Sequence, residues 1–123
     1  MRNTESAEMY LESILVLTQK QGEIRAIDVV HHTGYSKPSV SRAMGLLKKN
    51  GNITISESGL IYLTEQGKEV ANKILERHRV LSSLLIRLGV DPETAAEDAC
   101  RIEHVISDNT FEHLKAFIQK ETE

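Results

Sequence analysis

The chain has 123 residues and a formal net charge of −3, room for one compact domain or for a small domain plus a dimerisation unit. It has no tryptophan and one cysteine, so its core is mostly aliphatic and no internal disulfide can form, which fits a reducing cytoplasm. No apolar run is long enough to span a bilayer, and the N-terminal MRNTESAEMY lacks the apolar core of a signal peptide.

Helical periodicity dominates the chain from its start. Tyr10, Leu11, Ile14, Leu15 and Leu17 form one stripe, ended near Gly22. Ile27, Val29 and Val30 begin a short second helix that stops near Gly34. Ser36-Lys37-Pro38 reads as a helix start, because serine caps free amides and proline is tolerated in the first turn. This third helix runs through Val40, Ala43, Met44 and Leu47 to about Asn50, and Gly51 suits its C-terminal exit. Ile53–Ser56 and Leu60–Leu63, separated by Glu57-Ser58-Gly59, read as a hairpin. Thr64 then caps a long helix carrying Val70, Ile74, Leu81, Leu84, Leu85 and Leu88. Pro92 opens a helix with Ala95, Ala99, Ile102 and Ile106 on one face, and a last short helix holds Phe111, Leu114, Phe117 and Ile118. The break at Thr64 predicts a mainly α fold: a winged helix-turn-helix with a two-stranded wing over residues 1–64, then an all-helical dimerisation domain over 65–123.

Charge supports that division. Between Ser36 and Gly51 the chain carries Lys37, Arg42, Lys48 and Lys49 and no acid. Between Asp91 and Asp108 six acidic residues face Arg101 alone among the lysines and arginines. A basic module beside an acidic one suits a protein that meets an anion and a cation at separate sites. The second helix of a helix-turn-helix enters the major groove. Lys37, Ser39, Ser41 and Arg42 are therefore the expected base-reading positions, with Lys48 and Lys49 nearer phosphate. The wing tip carries Glu57 and is a poor phosphate clamp.

The acidic half holds the motif with the most chemistry. Cys100, Glu103 and His104 are three and four apart, so a helix would stack them on one side. Met9 and Glu12 form a second such pair near the N-terminus, and His78 falls in line with Ile74, Leu81 and Leu85. Taken singly, Met9 and Cys100 read as core filler and His78 as a hydrogen-bonded core histidine. Glu103, flanked by apolar residues, is harder to place without a partner, since a buried lone carboxylate is costly. Soft sulfur donors beside imidazole and carboxylate pull the metal toward iron(II), cobalt, nickel or zinc over manganese.

From Thr4 to the last helix the chain resembles the diphtheria toxin repressor (DtxR/MntR) family of metal-dependent transcriptional repressors. The resemblance rests on Glu8-Met9-Tyr10-Leu11, the helix-turn-helix from Ile27 to Leu47, Leu63-Thr64-Glu65-Gln66-Gly67, Arg77-His78-Arg79 and Ala99–Val105. It implies a non-enzymatic, cytoplasmic homodimer that binds palindromic operator DNA when loaded with a divalent transition metal and controls metal homeostasis genes. Met9, Cys100, Glu103 and His104 match the primary site of the iron-responsive branch. Glu12 and His78 match ligands of the manganese branch, whose acidic residues at the Met9 and Cys100 positions are absent here. The ancillary iron-branch site looks degraded, with Ser82 and Ala96 at two of its positions. The chain stops before the SH3-like third domain of longer members. Iron(II) is thus the favoured ion and manganese(II) the alternative. The ligands divide between the two halves, which predicts a corepressor switch in which the ion ties them together. Two rivals stand beside it: a small metalloenzyme, for which no convincing base is present, and a metal-free regulator sensing redox through Cys100.

Overall fold

The computed structural model describes residues 4–122, without the side chain of Thr122. Its elements are α1 (Glu5–Gln21), α2 (Ala26–Thr33), α3 (Lys37–Lys49), β1 (Ile53–Ile55), β2 (Ile61–Leu63), α4 (Glu65–Arg87), α5 (Pro92–Ile102) and α6 (Asp108–Thr122). The fold is mainly α, a winged helix-turn-helix with a two-stranded wing followed by helices alone. The chain divides into two compact units inside α4, the first ending at Asn72 and the second starting at Lys73.

In the first unit local chemistry sets the helix ends. Thr4 accepts the Ala7 N–H at 3.0 Å, and Ser36 accepts the Ser39 N–H at 3.3 Å. These hydroxyls satisfy amides that have no partner inside the helix. Between α2 and α3 the chain turns at Gly34, whose φ of 77° is left-handed, and its N–H returns to the Val30 carbonyl at 2.9 Å. Val40, Met44 and Leu47 on α3 are buried, as are Tyr10, Leu11, Ile14, Leu15 and Leu17 on α1. Both expected stripes therefore face the core. Ile27 does not follow the pattern; it stays exposed while Val29 supplies the apolar contact of α2.

The wing is antiparallel, pairing Ile53 with Leu63, Thr54 with Tyr62 and Ile55 with Ile61. Ile53 and Ile61 are buried while Thr54 and Tyr62 face solvent, the alternation a one-sided hairpin requires. The Arg25 guanidinium donates to the Ser58 carbonyl at the wing tip. At the exit of β2, the Thr64 hydroxyl accepts the Gly67 N–H at 3.1 Å and donates to the Gly51 carbonyl at 2.7 Å. Gly67 lies so close to the Asn52 carbonyl that any Cβ would overlap it.

In the second unit Ile74 and Leu81 of α4, Ala95 and Ala99 of α5, and Phe111 and Ile118 of α6 are the buried apolar residues. Asp91 caps α5 by accepting the Thr94 N–H at 3.0 Å. Two expectations change here. The periodicity carried α5 through Ile106, but the helix ends at Ile102 and Glu103 is its C-cap. The Arg77 guanidinium supplies donors to the Glu103 and Ile106 carbonyls, at 3.1 and 2.7 Å, so the chain leaves the helix without orphaning them. Leu88, expected on the α4 stripe, lies past the helix end and is 72% exposed.

Candidate metal centre and DNA-reading helix

Cys100 occupies the last turn of α5, Glu103 caps that helix, and His104 follows in the turn beyond it. The three therefore do not share one helix face as the spacing implied, yet the turn still gathers them. One donor atom from each lies within 4.8 Å of the others. Their burial differs sharply. Glu103 is fully buried, the His104 side chain is 7% exposed, and Cys100 is exposed.

Glu103 has two inequivalent oxygens. Oε2 lies 2.9 Å from Nδ1 of His78 in a hydrogen bond. Oε1 is 3.3 Å from Nε2 of His104, but among the described residues no hydrogen bond reaches it. A buried carboxylate oxygen without a hydrogen bond costs free energy, and a cation beside it relieves that cost. Thiolate, carboxylate and imidazole are together a donor set for a divalent transition ion. The residues present fit such an ion.

His78 is not the enclosed core histidine that its place in the α4 stripe implied. Its side chain is 30% exposed and bonded to Glu103. A neutral imidazole donating through Nδ1 to the carboxylate would carry its lone pair on Nε2, the tautomer in which a histidine can also ligate a metal. On α1 in the first unit, Met9 and Glu12 are both half-buried. The Ser13 hydroxyl lies 3.0 Å from the Met9 carbonyl and 3.8 Å from its sulfur.

Helix α3 presents its polar face to solvent. Lys37, Ser39, Ser41, Arg42, Lys48 and Lys49 are all exposed. Ser39 and Arg42 also line a groove of about 460 Å³ with Thr4, Ser6 and Tyr10 of the α1 segment and with Tyr35. Tyr10 and Tyr35 meet edge to face at 6.0 Å between ring centres. Burial, then the neighbouring Tyr35, pushes the Tyr10 hydroxyl above its usual range.

Beside His78 in the same motif, Arg77 has a structural role that the pattern of metal donors leaves unmarked. Arg77 is 4% exposed, and besides the two carbonyls it engages the Asp108 carboxylate and stacks over Phe111 at 5.4 Å. The signal for it was present, since residues 74, 77, 78 and 81 share one helical face and a charge on a buried face needs partners.

Comparison with known proteins places the chain in a family. A sequence profile described as "Iron dependent repressor, metal binding and dimerisation domain" matches residues 64–123. The transcriptional regulator MntR of Escherichia coli O6:H1 is 34% identical over 111 residues, covering 90% of this chain and 72% of that protein. An HTH-type transcriptional regulator of Methanocaldococcus jannaschii is 34% identical over 119 residues, covering 95% of each. The solved structure of the manganese regulator SloR superposes with a TM-score of 0.83 at 24% identity, a likeness of fold. It covers 97% of this chain, which spans just over half, 55%, of the SloR chain. Among the described residues no helix is long and apolar enough to cross a membrane. The chain belongs to the DtxR/MntR family of metal-dependent transcriptional repressors, which are regulators and not enzymes.

Proposed function

We propose that this protein is a cytoplasmic homodimeric repressor that binds palindromic operator DNA when Cys100, Glu103 and His104 hold a divalent metal ion. The observation that carries the reading is Glu103: fully buried, with Oε2 bonded to His78 and Oε1 reached by no hydrogen bond among the described residues. Met9 is the proposed fourth primary ligand, and Glu12 and His78 the proposed ligands of a second ion that shares Glu103. The thiolate and thioether disfavour manganese, and the resemblance of Met9, Cys100, Glu103 and His104 to the iron-responsive branch makes iron(II) the proposed ion. Manganese(II) is the alternative, which the names of the relatives support.

Because Met9 and Glu12 belong to α1, their ligation couples metal binding to the DNA-reading unit. The start of α1 shares a groove with Ser39 and Arg42, so ordering α1 constrains the reading helix. A ligand shifts such an equilibrium only by binding one state better. Base contacts fall to Lys37, Ser39, Ser41 and Arg42, and phosphate contacts to Lys48 and Lys49. The homodimer is proposed from the dimerisation domain that the matching family profile describes over residues 64–123.

The test is a metal series on DNA. Duplexes are selected from a random pool with the iron(II)-loaded protein under anaerobic conditions, then titrated with and without iron(II) or manganese(II) at fixed salt. Metal-dependent affinity supports the reading, and equal affinity in every arm sinks it. The redox alternative separates by substitution. Loss of response in both Met9→Ala and Cys100→Ser indicates ligation, whereas loss in Cys100→Ser alone indicates thiol sensing.

A further inference from the structure

We infer that Arg77 is a positioning residue for the metal site, locking the turn that carries Glu103 and His104; this rests on the reading of that turn as the metal centre. The turn runs from the end of α5 to the start of α6 and has no regular secondary structure to fix it. Arg77 gathers its two ends. One guanidinium nitrogen donates to the Glu103 carbonyl at 3.1 Å and to the Ile106 carbonyl at 2.7 Å. The other engages the Asp108 carboxylate at the first residue of α6. The guanidinium lies over the Phe111 ring, one turn further along α6.

Adjacent residues of α4 thus hold Glu103 at both ends. Arg77 fixes its backbone carbonyl while His78 fixes its carboxylate. A planar guanidinium with five donors in a rigid fork suits this task, and a lysine ammonium cannot span all three acceptors. The arrangement carries a cost that packing alone does not explain. Arg77 Nε is buried and donates to no acceptor among the described residues. An apolar side chain would remove that cost but leave the Glu103 and Ile106 carbonyls without their guanidinium donor. In the inferred role the charge and its geometry hold the turn, so that the carboxylate and imidazole are oriented before an ion arrives.

The experiment is a cobalt(II) titration of the full chain, with affinity read by competition against a chelator and ligand geometry by the thiolate-to-cobalt absorption band. Thermal unfolding of the metal-free protein is measured beside it. Arg77→Met is expected to lower cobalt affinity 10- to 100-fold, the usual effect of losing a partner that orients a ligand. Arg77→Lys is expected to recover part of it. Lys73→Met removes only the exposed 2.8 Å pair with Asp108 and is expected to leave affinity within about twofold. If the wild-type protein binds no cobalt, the metal reading falls and this inference with it. If the wild type binds but a folded Arg77→Met binds equally well, with only its melting temperature lowered, Arg77 is structural and the positioning role alone is overturned. Should Arg77→Met not fold, Asp108→Asn decides: a severalfold loss supports the role, and unchanged affinity overturns it.

Discussion

Glu103 concentrates the chemistry of the second unit in one side chain. Its Oε1 is buried without a hydrogen bond among the described residues, so the carboxylate is held at a cost that a cation would offset. Replacing it by its neutral isostere, Glu103→Gln, is expected to weaken metal binding by about 100-fold or more, at or beyond the upper end of the effect of outer partners. The metal-free protein should stay folded, as equal circular dichroism spectra would show. Two other carboxylates make the second unit acid-sensitive. The Thr94 backbone N–H holds Asp91 below the usual range, and Lys73 first, then Arg77, does so for Asp108. A lowered folded-state pKa means that the unfolded chain binds more protons in acid. The stabilisation is then present above about pH 4, the unfolded value, and is lost as pH falls through the folded values. Thermal melts stepped down through this range should show the loss, and Asp91→Asn should flatten it. A profile unchanged by that substitution would contradict the assignment.

At the scale of elements, the joint between the wing and α4 and the exposed face of α3 make separate demands. The joint tolerates no side chain at residue 67, because a Cβ would overlap the Asn52 carbonyl and a backbone atom cannot swing aside. Gly67→Ala is expected to destabilise the protein by about 1–3 kcal/mol, the usual cost of overpacking. A lower urea midpoint at unchanged slope would record it, and an unaltered midpoint would refute the close approach. Helix α3 uses its residues differently. Val40, Met44 and Leu47 anchor it, leaving Lys48 and Lys49 exposed near its end. Under the proposed function, Lys48→Ala and Lys49→Ala should each reduce the slope of log affinity against log salt by about 0.9, one phosphate contact apiece. An unchanged slope would place both lysines off the DNA.

At the scale of the whole molecule, the proposed switch predicts reciprocity. If metal raises affinity for the selected duplex by some factor, that duplex must raise metal affinity by the same factor. A metal titration with and without duplex measures this directly, and unequal factors would show that a further equilibrium intervenes. The sequence by itself determined the mainly α winged-helix architecture, the extent of α3 with its Ser36 cap, and the candidate donors Cys100, Glu103 and His104. Each is written locally, in periods of three and four residues, in capping hydroxyls and in the chemistry of Cys100, Glu103 and His104. The tertiary structure alone decided that Glu103 is fully buried, that His78 bonds its carboxylate, and that Arg77 takes the carbonyls where α5 stops. Those contacts join residues 25 and more positions apart, and no local pattern records which distant donor will satisfy a buried acceptor. Periodicity overran α5 to Ile106 for that reason: the donor that ends the helix lies on α4.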